Sequence, residues 1–592
     1  MNAHCMSLRP FLAMALSVGA IFGQAQDVLV GPPIRTDAGR GTFAANETSA
    51  ASVDAWGKEI ITSWNDWSES TSAEVIRCGV GLSSNAALTW SDFTLRPPVA
   101  NRSGVEGDPF TIYDRRTGNL WAGAISFAGN GGVYIARKTT GSNTFQPSVM
   151  IQASSSADKF WGAAGPLPGN PNSTRLYAAY NLGVARSDDL GATWQPPVAI
   201  GSGLGFNPRV GPEGNVYVSF WDFGTDQFRL RRSTNGGNSY LAAQTLLTRV
   251  GTWGTGDCPI IPGNFRAPAL PCIAVDPVTG AAYCVSFDSG NLVGSNRNAD
   301  LFFQKSVDGG ATWTSPTPIF RNTALSRDHF FPWVEVDRTG RIHVLYYSTE
   351  ALSQNDSTST SCVADAWYAY SDNGGATWGR ERLTPASFNL MNDGLARSMA
   401  FYGDYLGMAW GGQRVYPNYV ASWPNADPDN YVNVVINPST PPITVSTHAG
   451  SYVSGNADSA CQDDGNRFVI RSSRATPGSP FAGATLDLVT GASTLNTLSV
   501  NVISSVTATA RRGTLEEQIE LFNVQTQSWE IVGTRPPSQV DSLFNVDVSV
   551  NPQRFFNVAD RRVRARISWR TVGMSASGSW LSRINRFHAV VR

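Results

Sequence analysis

One eight-residue string recurs along the chain at positions where an apolar run is about to reverse direction. Its pattern is Ser-x-Asp-x-Gly-x-Thr-Trp, and the reference copy reads SVDGGATW. Asp or Asn at the third position can bond its own backbone two residues on, while the glycine accepts the positive φ of a tight turn. The string therefore predicts a hairpin turn between two antiparallel strands. Its clean and degenerate copies are Ser187–Trp194, Ser306–Trp313, Ser371–Trp378, Ser83–Trp90, Ser233–Tyr240 and Lys138–Phe145.

A second repeated element lies upstream of these turns and consists of an apolar strand, a short Asp/Gly turn and another apolar strand. Its turn glycine recurs from Gly57 to Gly118 and from Gly280 to Gly340, two intervals of nearly equal length. A repeat of that size holding two hairpins makes a four-stranded blade, and radial repetition of blades makes a β-propeller. The seven hairpins are Ser52–Trp64, Phe110–Ile125, Trp161–Tyr180, Arg209–Trp221, Cys272–Phe287, Trp333–Tyr347 and Ser398–Trp410.

The predicted fold class is all-β, with a β-propeller of six or seven four-stranded blades followed by a C-terminal β-sandwich. Seven blades are favoured, and six stay open because no turn string follows the last hairpin. The propeller is predicted over residues 26–437. The proline-rich stretch NPSTPPIT, which starts at Asn437, is typical of a linker. Period-two runs in residues 445–592 indicate the sandwich, for which a carbohydrate-binding role is a hypothesis from architecture.

The segment Met1–Ala25 is typical of a secretory signal peptide. Arg9 precedes the apolar run FLAMALSVGAIFG, which is too short to span a membrane. Loss of Cys5 with this segment would leave six cysteines, whose pairing the sequence does not reveal. A secreted or extracytoplasmic location, reached by bacterial-type export, is therefore predicted. The formal net charge of −1 gives no support for a nucleic-acid partner.

Residues at the start of each blade's inner strand are expected to converge at one rim of the central channel. Several guanidinium groups facing one cavity repel each other unless an anion joins them, and arginine binds carboxylates in bidentate fashion. The sequence therefore predicts an anionic ligand, such as a carboxylated sugar, held by arginines. The strand-start residues include Glu106, Asp108, Asp158, Lys159, Asp328, His329 and Asp393, and the predicted substrate-binding arginines are Arg209, Arg266, Arg327 and Arg397.

Acids near the predicted channel supply the candidate catalytic groups. A glycosidase needs one acid to protonate the leaving oxygen and a second group on the other side of the bond. Asp108, Glu106 and Asp328 are placed for these roles. His329 is predicted to contact substrate or to act as the base of a lyase. No cysteine or histidine pattern indicates zinc and no cofactor is predicted, although loop carboxylates leave a structural calcium ion open.

The clean turn strings resemble the Asp boxes, or BNR repeats, of the sialidase (neuraminidase) superfamily. Phe265–Pro268, FRAP, is similar to that family's FRIP motif. The resemblance implies a propeller-based exo-glycosidase, an arginine triad that includes Arg266, and a tyrosine nucleophile, for which Tyr347 or Tyr346 is the candidate. It also implies a glutamate partner and an aspartate acid/base. The chain departs from the family because Arg266 lies in the fifth hairpin and the nearest acid before it is Asp257.

Three functions remain open on this evidence. The first is a secreted, sialidase-like glycoside hydrolase acting on an acidic sugar at the propeller mouth. The second is a non-catalytic surface propeller that binds a glycan or a protein. The third is a polysaccharide lyase on uronate polymers. The partner predicted overall is a glycan or acidic-sugar substrate, with no membrane span, while oligomeric state is not indicated.

Overall fold

The computed structural model describes most of the chain, and the predicted signal peptide, Cys258 and Arg397 lie outside the described residues. The described ranges are 28–37, 44–52, 57–70, 75–98, 105–127, 131–250, 261–293, 296–321, 323, 327–351, 361–395, 400–423, 427–437, 439–461, 467–473, 479–490, 495–507, 515–571 and 580–591.

The strands up to residue 436 form seven antiparallel sheets within the described residues, and six of these sheets use strands that are consecutive in the chain. Blade 1 comprises Ala45–Ser52, Ile60–Asp66, Arg77–Ser83 and Ser91–Leu95. Blade 2 comprises Glu106–Asp114, Asn119–Ser126, Gly132–Lys138 and Val149–Ala153. Blade 3 comprises Trp161–Leu167, Asn170–Tyr180, Gly183–Ser187 and Gln195–Val198. Blade 4 comprises Gly203–Val210, Val216–Asp222, Gln227–Ser233 and Gln244–Thr248. Blade 5 comprises Cys272–Val275, Ala282–Val293, Asn296–Ser306 and Thr317–Ile319. Blade 6 comprises His329–Val336, Ile342–Ser348, Val363–Ser371, Gly379–Arg382 and Phe388–Asn389.

Blade 7 joins the two ends of the propeller segment. Its sheet contains Gly407–Gly411, Arg414–Ala421, Asp429–Val432, Val435–Ile436, Leu29–Val30 and Ile34–Arg35. The two N-terminal strands pair with the last two strands of the segment, which explains why no turn string follows the last hairpin. The inner strand of each blade contacts that of the next, and the inner strand of blade 7 contacts that of blade 1. The described strands therefore close a seven-bladed propeller, as favoured from the sequence.

The position predicted for the last hairpin is wrong. The sequence pattern predicts it over Ser398–Trp410, with its turn near Gly403. In the structure the inner strand begins only at Gly407, and it pairs with Arg414–Ala421. The described residues just before Gly407 instead form an irregular segment whose carbonyl groups at Phe401 and Tyr402 accept hydrogen bonds from Asn46 and Glu47 of blade 1.

The repeated string forms the predicted turn, and in blades 1, 3, 4, 5 and 6 it joins the third strand to the fourth. In the reference copy Ser306 Oγ donates to Asp308 Oδ1 at 2.8 Å and accepts from Gly310 N at 2.8 Å. Thr312 donates to Asp308 through both its backbone N, at 2.9 Å, and its hydroxyl, at 2.6 Å. The fixed Ser, Asp and Thr positions are thus explained by four hydrogen bonds within the turn.

Beyond the propeller, two six-stranded sheets pack face to face around a separate apolar core. This is the predicted sandwich. Its sheets comprise Ser439–Thr440, Ser451–Ser454, Phe468–Arg471, Leu498–Val506, Ser542–Val548 and Leu581–Val591; then Pro442–Ala449, Ala482–Val489, Leu515–Asn523, Ser528–Arg535, Phe556–Asn557 and Arg562–Thr571.

Only single turns of 3-10 helix interrupt the strands in the described part of the chain, at Pro262–Asn264, Asp458–Ala460 and Pro552–Phe555. The described residues contain no helix with the length and apolar character needed to cross a bilayer. Five cysteines are described, and each is a buried free thiol: Cys78, Cys272, Cys284, Cys362 and Cys461.

Candidate active site

Several inner strands begin with the same backbone irregularity. The pairing register slips near the strand start in blades 1, 2, 4 and 6. A residue with left-handed φ stands at each slip and just before the blade 3 strand: Glu47 (55°), Asp108 (50°), Lys159 (50°), Gly205 (69°) and Phe331 (52°). Such a φ costs a residue other than glycine of order 1 kcal/mol or more, and a bulge redirects its side chain. Three of these five residues carry a charge, and their side chains meet.

Lys159 is the centre of this cluster. Its ammonium lies 2.8 Å from Asp108 Oδ1, 2.9 Å from Glu47 Oε1 and 2.5 Å from Asp404 Oδ2. All four side chains are almost completely buried. Burying one of these charges alone would be strongly unfavourable, so the ammonium and the carboxylates depend on each other. Four blades thus contribute to a single ionic cluster at the mouth, the end of the channel where the inner strands begin.

Arg266 extends the cluster toward solvent. Its guanidinium forms a bidentate pair with the Asp404 carboxylate, with 2.9 Å between Nη2 and Oδ2. Asp404 is fully buried, whereas the Arg266 side chain remains 28% exposed. Asp404 reaches this position because Gly403, with φ of 97°, lies directly against the Glu47 backbone. Arg266 thus lies at the mouth, where its guanidinium is already paired with a carboxylate of the protein itself.

Polar neighbours fix the carboxyl groups in place. Asn65 Nδ2 donates to Glu47 Oε2 at 2.7 Å, and the backbone N of Lys159 donates to Asp108 Oδ2 at 3.1 Å. The carboxyl groups of Asp158 and Asp108 lie in the same cavity, and the charge of Asp108 contributes to raising the pKa of Asp158. Because the negative charge of one carboxylate disfavours ionisation of its neighbour, their protonation states depend on each other.

The carboxyl groups of the cluster differ sharply in acidity. Burial, reinforced by the charge of Asp108, raises the pKa of Asp158 to about 7. Burial also raises the pKa of Glu47 to about 8, although Lys159 partly opposes this. Burial would raise the pKa of Asp108 too, but the Lys159 ammonium outweighs it and holds that pKa below its usual value. One cluster therefore holds both an ionised carboxylate and carboxyl groups that keep a proton near neutral pH.

These groups line a cavity of about 480 Å³ at the mouth. Its wall includes Glu47, Asp108, Asp158, Lys159, Arg266 and Asp404, together with Glu106, Asn65 and the aromatic rings of Phe127 and Phe401. That volume is in the range of small-molecule sites. Half-buried Asp158 and partly exposed Arg266 are the charged groups that a ligand can reach most directly.

Glu106 lies at the edge of the same cavity. Its carboxyl accepts a hydrogen bond from the Tyr134 hydroxyl at 2.9 Å and pairs with Arg77 at 3.3 Å. Burial raises its pKa despite these partners. The structure thus brings two of the predicted catalytic residues, Glu106 and Asp108, to one cavity, with Asp108 at its centre.

The predicted arginine cluster is not assembled by the described residues. Arg209 occupies the last part of the strand Gly203–Val210 and pairs with Glu335 at 3.1 Å, at the opposite end of the channel. The error arises because the strand begins at Gly203, so that Arg209 ends the inner strand instead of starting it. Arg327 precedes the inner strand of blade 6 and does not line the mouth cavity. The prediction for Arg397 concerns a residue outside the described ranges.

Three further predicted site residues are fully buried away from the mouth cavity. Asp328 Oδ1 accepts a hydrogen bond from Ala299 N at 2.7 Å, and Asp328 is fully buried beneath its loop. The Tyr347 hydroxyl exchanges hydrogen bonds with the Val420 backbone, and burial raises its pKa well above the usual value. His329 is buried against Tyr346, and burial lowers its pKa to about 4. None of the three lines the mouth cavity, so the structure does not bring them together with Glu106 and Asp108.

Two central residues escape the sequence patterns. Glu47 precedes the predicted first hairpin, which starts at Ser52. Asp404 falls inside the misplaced turn of the last hairpin. Correct placement of that hairpin at Gly407 would have put Asp404 at a strand start, so a usable signal existed. Among the described residues no set of three or more His, Cys, Asp or Glu side chains is arranged for a metal ion; at the mouth, the Lys159 ammonium lies between the carboxylates instead.

Fold and site together define a seven-bladed β-propeller with a buried, carboxylate-rich cluster at its mouth, joined to a β-sandwich. No protein-family model matches the chain, and no curated protein matches it. Solved structures do match in fold. The chain is similar to the Hadza microbial sialidase Hz136, with 16% identity over 68% of each chain and a TM-score of 0.34.

Two further structures cover nearly the whole chain. One is Trypanosoma rangeli sialidase in complex with the inhibitor DANA, at 9% identity over 93% of this chain and 92% of that one, with a TM-score of 0.33. The other is an exo-β-1,3-galactanase from Phanerochaete chrysosporium, at 11% identity over 95% and 100%, with a TM-score of 0.30. The likeness at these values is one of fold alone.

Proposed function

We propose that the protein is an exported glycoside hydrolase whose active site is the mouth cluster. The observation that carries the proposal is that two carboxyl groups of one cavity, Asp158 and Asp108, have pKa values moved in opposite directions. Glycoside hydrolysis needs one carboxyl group that holds a proton and a second that is ionised, and different environments for the two groups supply both.

Each residue has a distinct part in this proposal. Asp158 is half-buried and its pKa is raised to about 7, so its protonated form donates a proton to the leaving oxygen, while a water molecule adds to the anomeric carbon. Asp108 supplies the negative charge that stabilises the oxocarbenium-like transition state. Lys159 is a positioning residue, because its ammonium keeps Asp108 ionised and holds it beside Glu47 and Asp404.

The charge of the mouth favours a neutral sugar as substrate. Five carboxyl groups line the cavity, against Lys159 and Arg266 as its basic groups. Carboxyl groups accept hydrogen bonds from sugar hydroxyls, and those that are ionised, such as Asp108, disfavour a substrate carboxylate. A carboxylated sugar, as in a sialidase-like enzyme, is the second candidate, because the Arg266 guanidinium is partly exposed at the cavity and could bind an anion beside Asp404.

The activity is tested by screening the purified protein against 4-methylumbelliferyl glycosides of neutral sugars, a uronic acid and sialic acid. The Asp158→Asn variant keeps the shape of the side chain but cannot transfer the proton, so kcat is expected to fall at least about 100-fold. Asp188→Asn, in an exposed turn of blade 3, is the control and keeps wild-type activity. Equal activity of wild type and Asp158→Asn on every substrate turned over would overturn the assignment.

The substrate class is separated with the Arg266→Gln variant. A rise in KM for the sialoside or uronide alone supports the carboxylated sugar, whereas an unchanged KM for a neutral glycoside supports the neutral one. If no glycoside is cleaved but a glycan array shows binding, the propeller is a binding protein and not a hydrolase. An unsaturated product absorbing in the ultraviolet would instead indicate a lyase, for which buried His329 is no longer the candidate base.

A further inference from the structure

A second cavity, of about 190 Å³, lies at the turn end of the channel, the end where the inner strands meet the turn to the second strand. It is lined by at least one residue of every blade, which places it on the propeller axis. The rings of Trp161 and Tyr405, with centroids 4.9 Å apart, pack between this cavity and the mouth, where Tyr405 lies beneath Lys159. The turn-end cavity is therefore distinct from the proposed active site.

Guanidinium groups outnumber carboxylates in the wall of this cavity. Arg116 pairs with Asp114 at 2.9 Å and Arg209 pairs with Glu335 at 3.1 Å. The third guanidinium, of Arg115, stacks on the Trp410 ring at 3.6 Å and donates to the Trp410 carbonyl oxygen. It has no carboxylate partner among the described residues. The lining thus carries one positive charge more than its own carboxylates neutralise.

Unsatisfied hydrogen-bond donors lie in the same wall. The indole Nε1 of Trp161 and the Nε atoms of Arg115 and Arg209 are buried, and none has an acceptor among the described residues. Trp161 is 2% exposed, so bulk water does not supply that acceptor. Leaving buried donors unpaired is costly, and native proteins rarely do so. These three groups can only donate, so the missing partner must offer acceptors.

We propose that the turn-end cavity binds a small anion, between a halide ion and a short carboxylate in size. An anion supplies both of the things that the wall lacks, which are a compensating negative charge and acceptors for N–H groups. The cavity is less than half the volume of the one at the mouth, so it suits an ion or a small acid better than a sugar. The site would occupy the propeller axis and link blades 2, 3 and 4.

The experiment follows the thermal stability and tryptophan fluorescence of the purified protein during separate titrations with sodium chloride, sodium acetate and sodium sulfate. Wild type should show a saturable response. Trp161→Phe removes one donor and keeps an aromatic ring, so the apparent Kd should rise roughly tenfold. Trp121→Phe is the matched control, because Trp121 is equally buried and its Nε1 already bonds the Leu190 carbonyl at 3.2 Å.

A second pair of variants guards against loss of folding in Trp161→Phe. Arg116→Gln removes a guanidinium of the cavity wall, and Arg380→Gln removes one of similar exposure that pairs with Glu350 outside the channel. Only the first should weaken the response. Saturation by acetate alone identifies a carboxylate as the ligand, and saturation by chloride or sulfate identifies an inorganic ion. A linear salt effect that is the same in wild type, Trp161→Phe and Arg116→Gln would overturn the proposal.

Discussion

The two ends of the propeller channel are built by the same seven inner strands but have opposite chemistry. At the mouth, carboxyl groups from several blades surround one ammonium, and Arg266 completes the cluster. At the turn end, guanidinium groups and indole rings predominate, with Asp114 and Glu335 as the carboxylates. The mouth therefore suits proton transfer to a sugar, whereas the turn end suits an anion.

The comparison shows that position along a strand decides which chemistry a residue joins. In the strand Gly203–Val210, Leu204 lines the mouth cavity and Arg209 lines the turn-end cavity. Five residues of extended chain separate them by roughly 16 Å, at about 3.3 Å per residue. An arginine assigned to the wrong end of a strand is therefore assigned to the wrong site.

The largest expected difference in stability between the two ends concerns the cations that pair with their carboxyl groups, Lys159 and Arg209. Lys159→Met leaves the buried carboxyl groups of Asp108 and Glu47 without their ammonium partner, while Asp404 keeps Arg266, and it should destabilise the protein by ~3–5 kcal/mol. Arg209→Met leaves only Glu335 and should cost clearly less. Urea denaturation of the two variants and wild type gives both values. Equal losses would show that the mouth cluster is no more interdependent than the single ion pair.

A smaller difference in stability is expected between alanine variants of two glycines that have left-handed φ and lie at opposite ends of the propeller channel. A Cβ on Gly403 would lie 2.4 Å from Glu47 Cα, whereas a Cβ on Gly169 would meet no atom within 4 Å. Gly169→Ala should cost about 1 kcal/mol, from backbone conformation alone. Gly403→Ala should cost more and should also displace Asp404, lowering glycosidase activity. Thermal unfolding and the glycoside assay test this, and similar behaviour of the two variants would count against the close contact.

The stability of the protein should depend on pH because of the carboxyl groups at the mouth. Burial raises the pKa of Glu47 to about 8 in the folded protein, against about 4.3 for an unperturbed glutamate. Between these values the folded protein holds a proton that the unfolded chain has lost, so this contribution to stability decreases as pH rises from about 5 to 8. Glu47→Gln should therefore flatten the fall in Tm over this range.

The control for this measurement is Trp121→Phe, which changes no titratable group and should keep the wild-type slope. Asp158 has a pKa raised to about 7 and contributes with the same sign, so a residual slope should persist in Glu47→Gln. A variant slope as steep as that of wild type would mean that Glu47 is ionised throughout the range.

The smallest effect is expected in the repeated turns, which lie away from both cavities. Ser306→Ala removes the hydroxyl that bonds Asp308 and Gly310, at a cost of about 1 kcal/mol. Ser83→Ala should cost the same, because Ser83 makes the same bonds in the degenerate copy of blade 1. Chemical denaturation measures both values. A much smaller loss at Ser83 would show that the degenerate turn is held by other contacts.

Much of the architecture was predictable because it depends on local sequence. The turn string specifies its own hydrogen bonds among neighbouring residues, and the spacing between strings and hairpins sets the blade size. The closing blade was harder to place, because its outer strands, Leu29–Val30 and Ile34–Arg35, come from the opposite end of the propeller segment to their partners. No local pattern indicates such a pairing.

The sequence by itself determined a propeller followed by a sandwich, and it put Glu106, Asp108 and Arg266 near one rim, because strand starts in a ring must converge. Tertiary structure alone decided which charges meet. Lys159, at the start of blade 3, binds one acid from each of the two preceding blades and a third, Asp404, from the segment that enters blade 7. The bulges at the strand starts and the closure of the ring determine which of these side chains come into contact. The physical reason is that turns are encoded by neighbouring residues, whereas a buried ionic cluster depends on backbone positions that only the closed ring fixes.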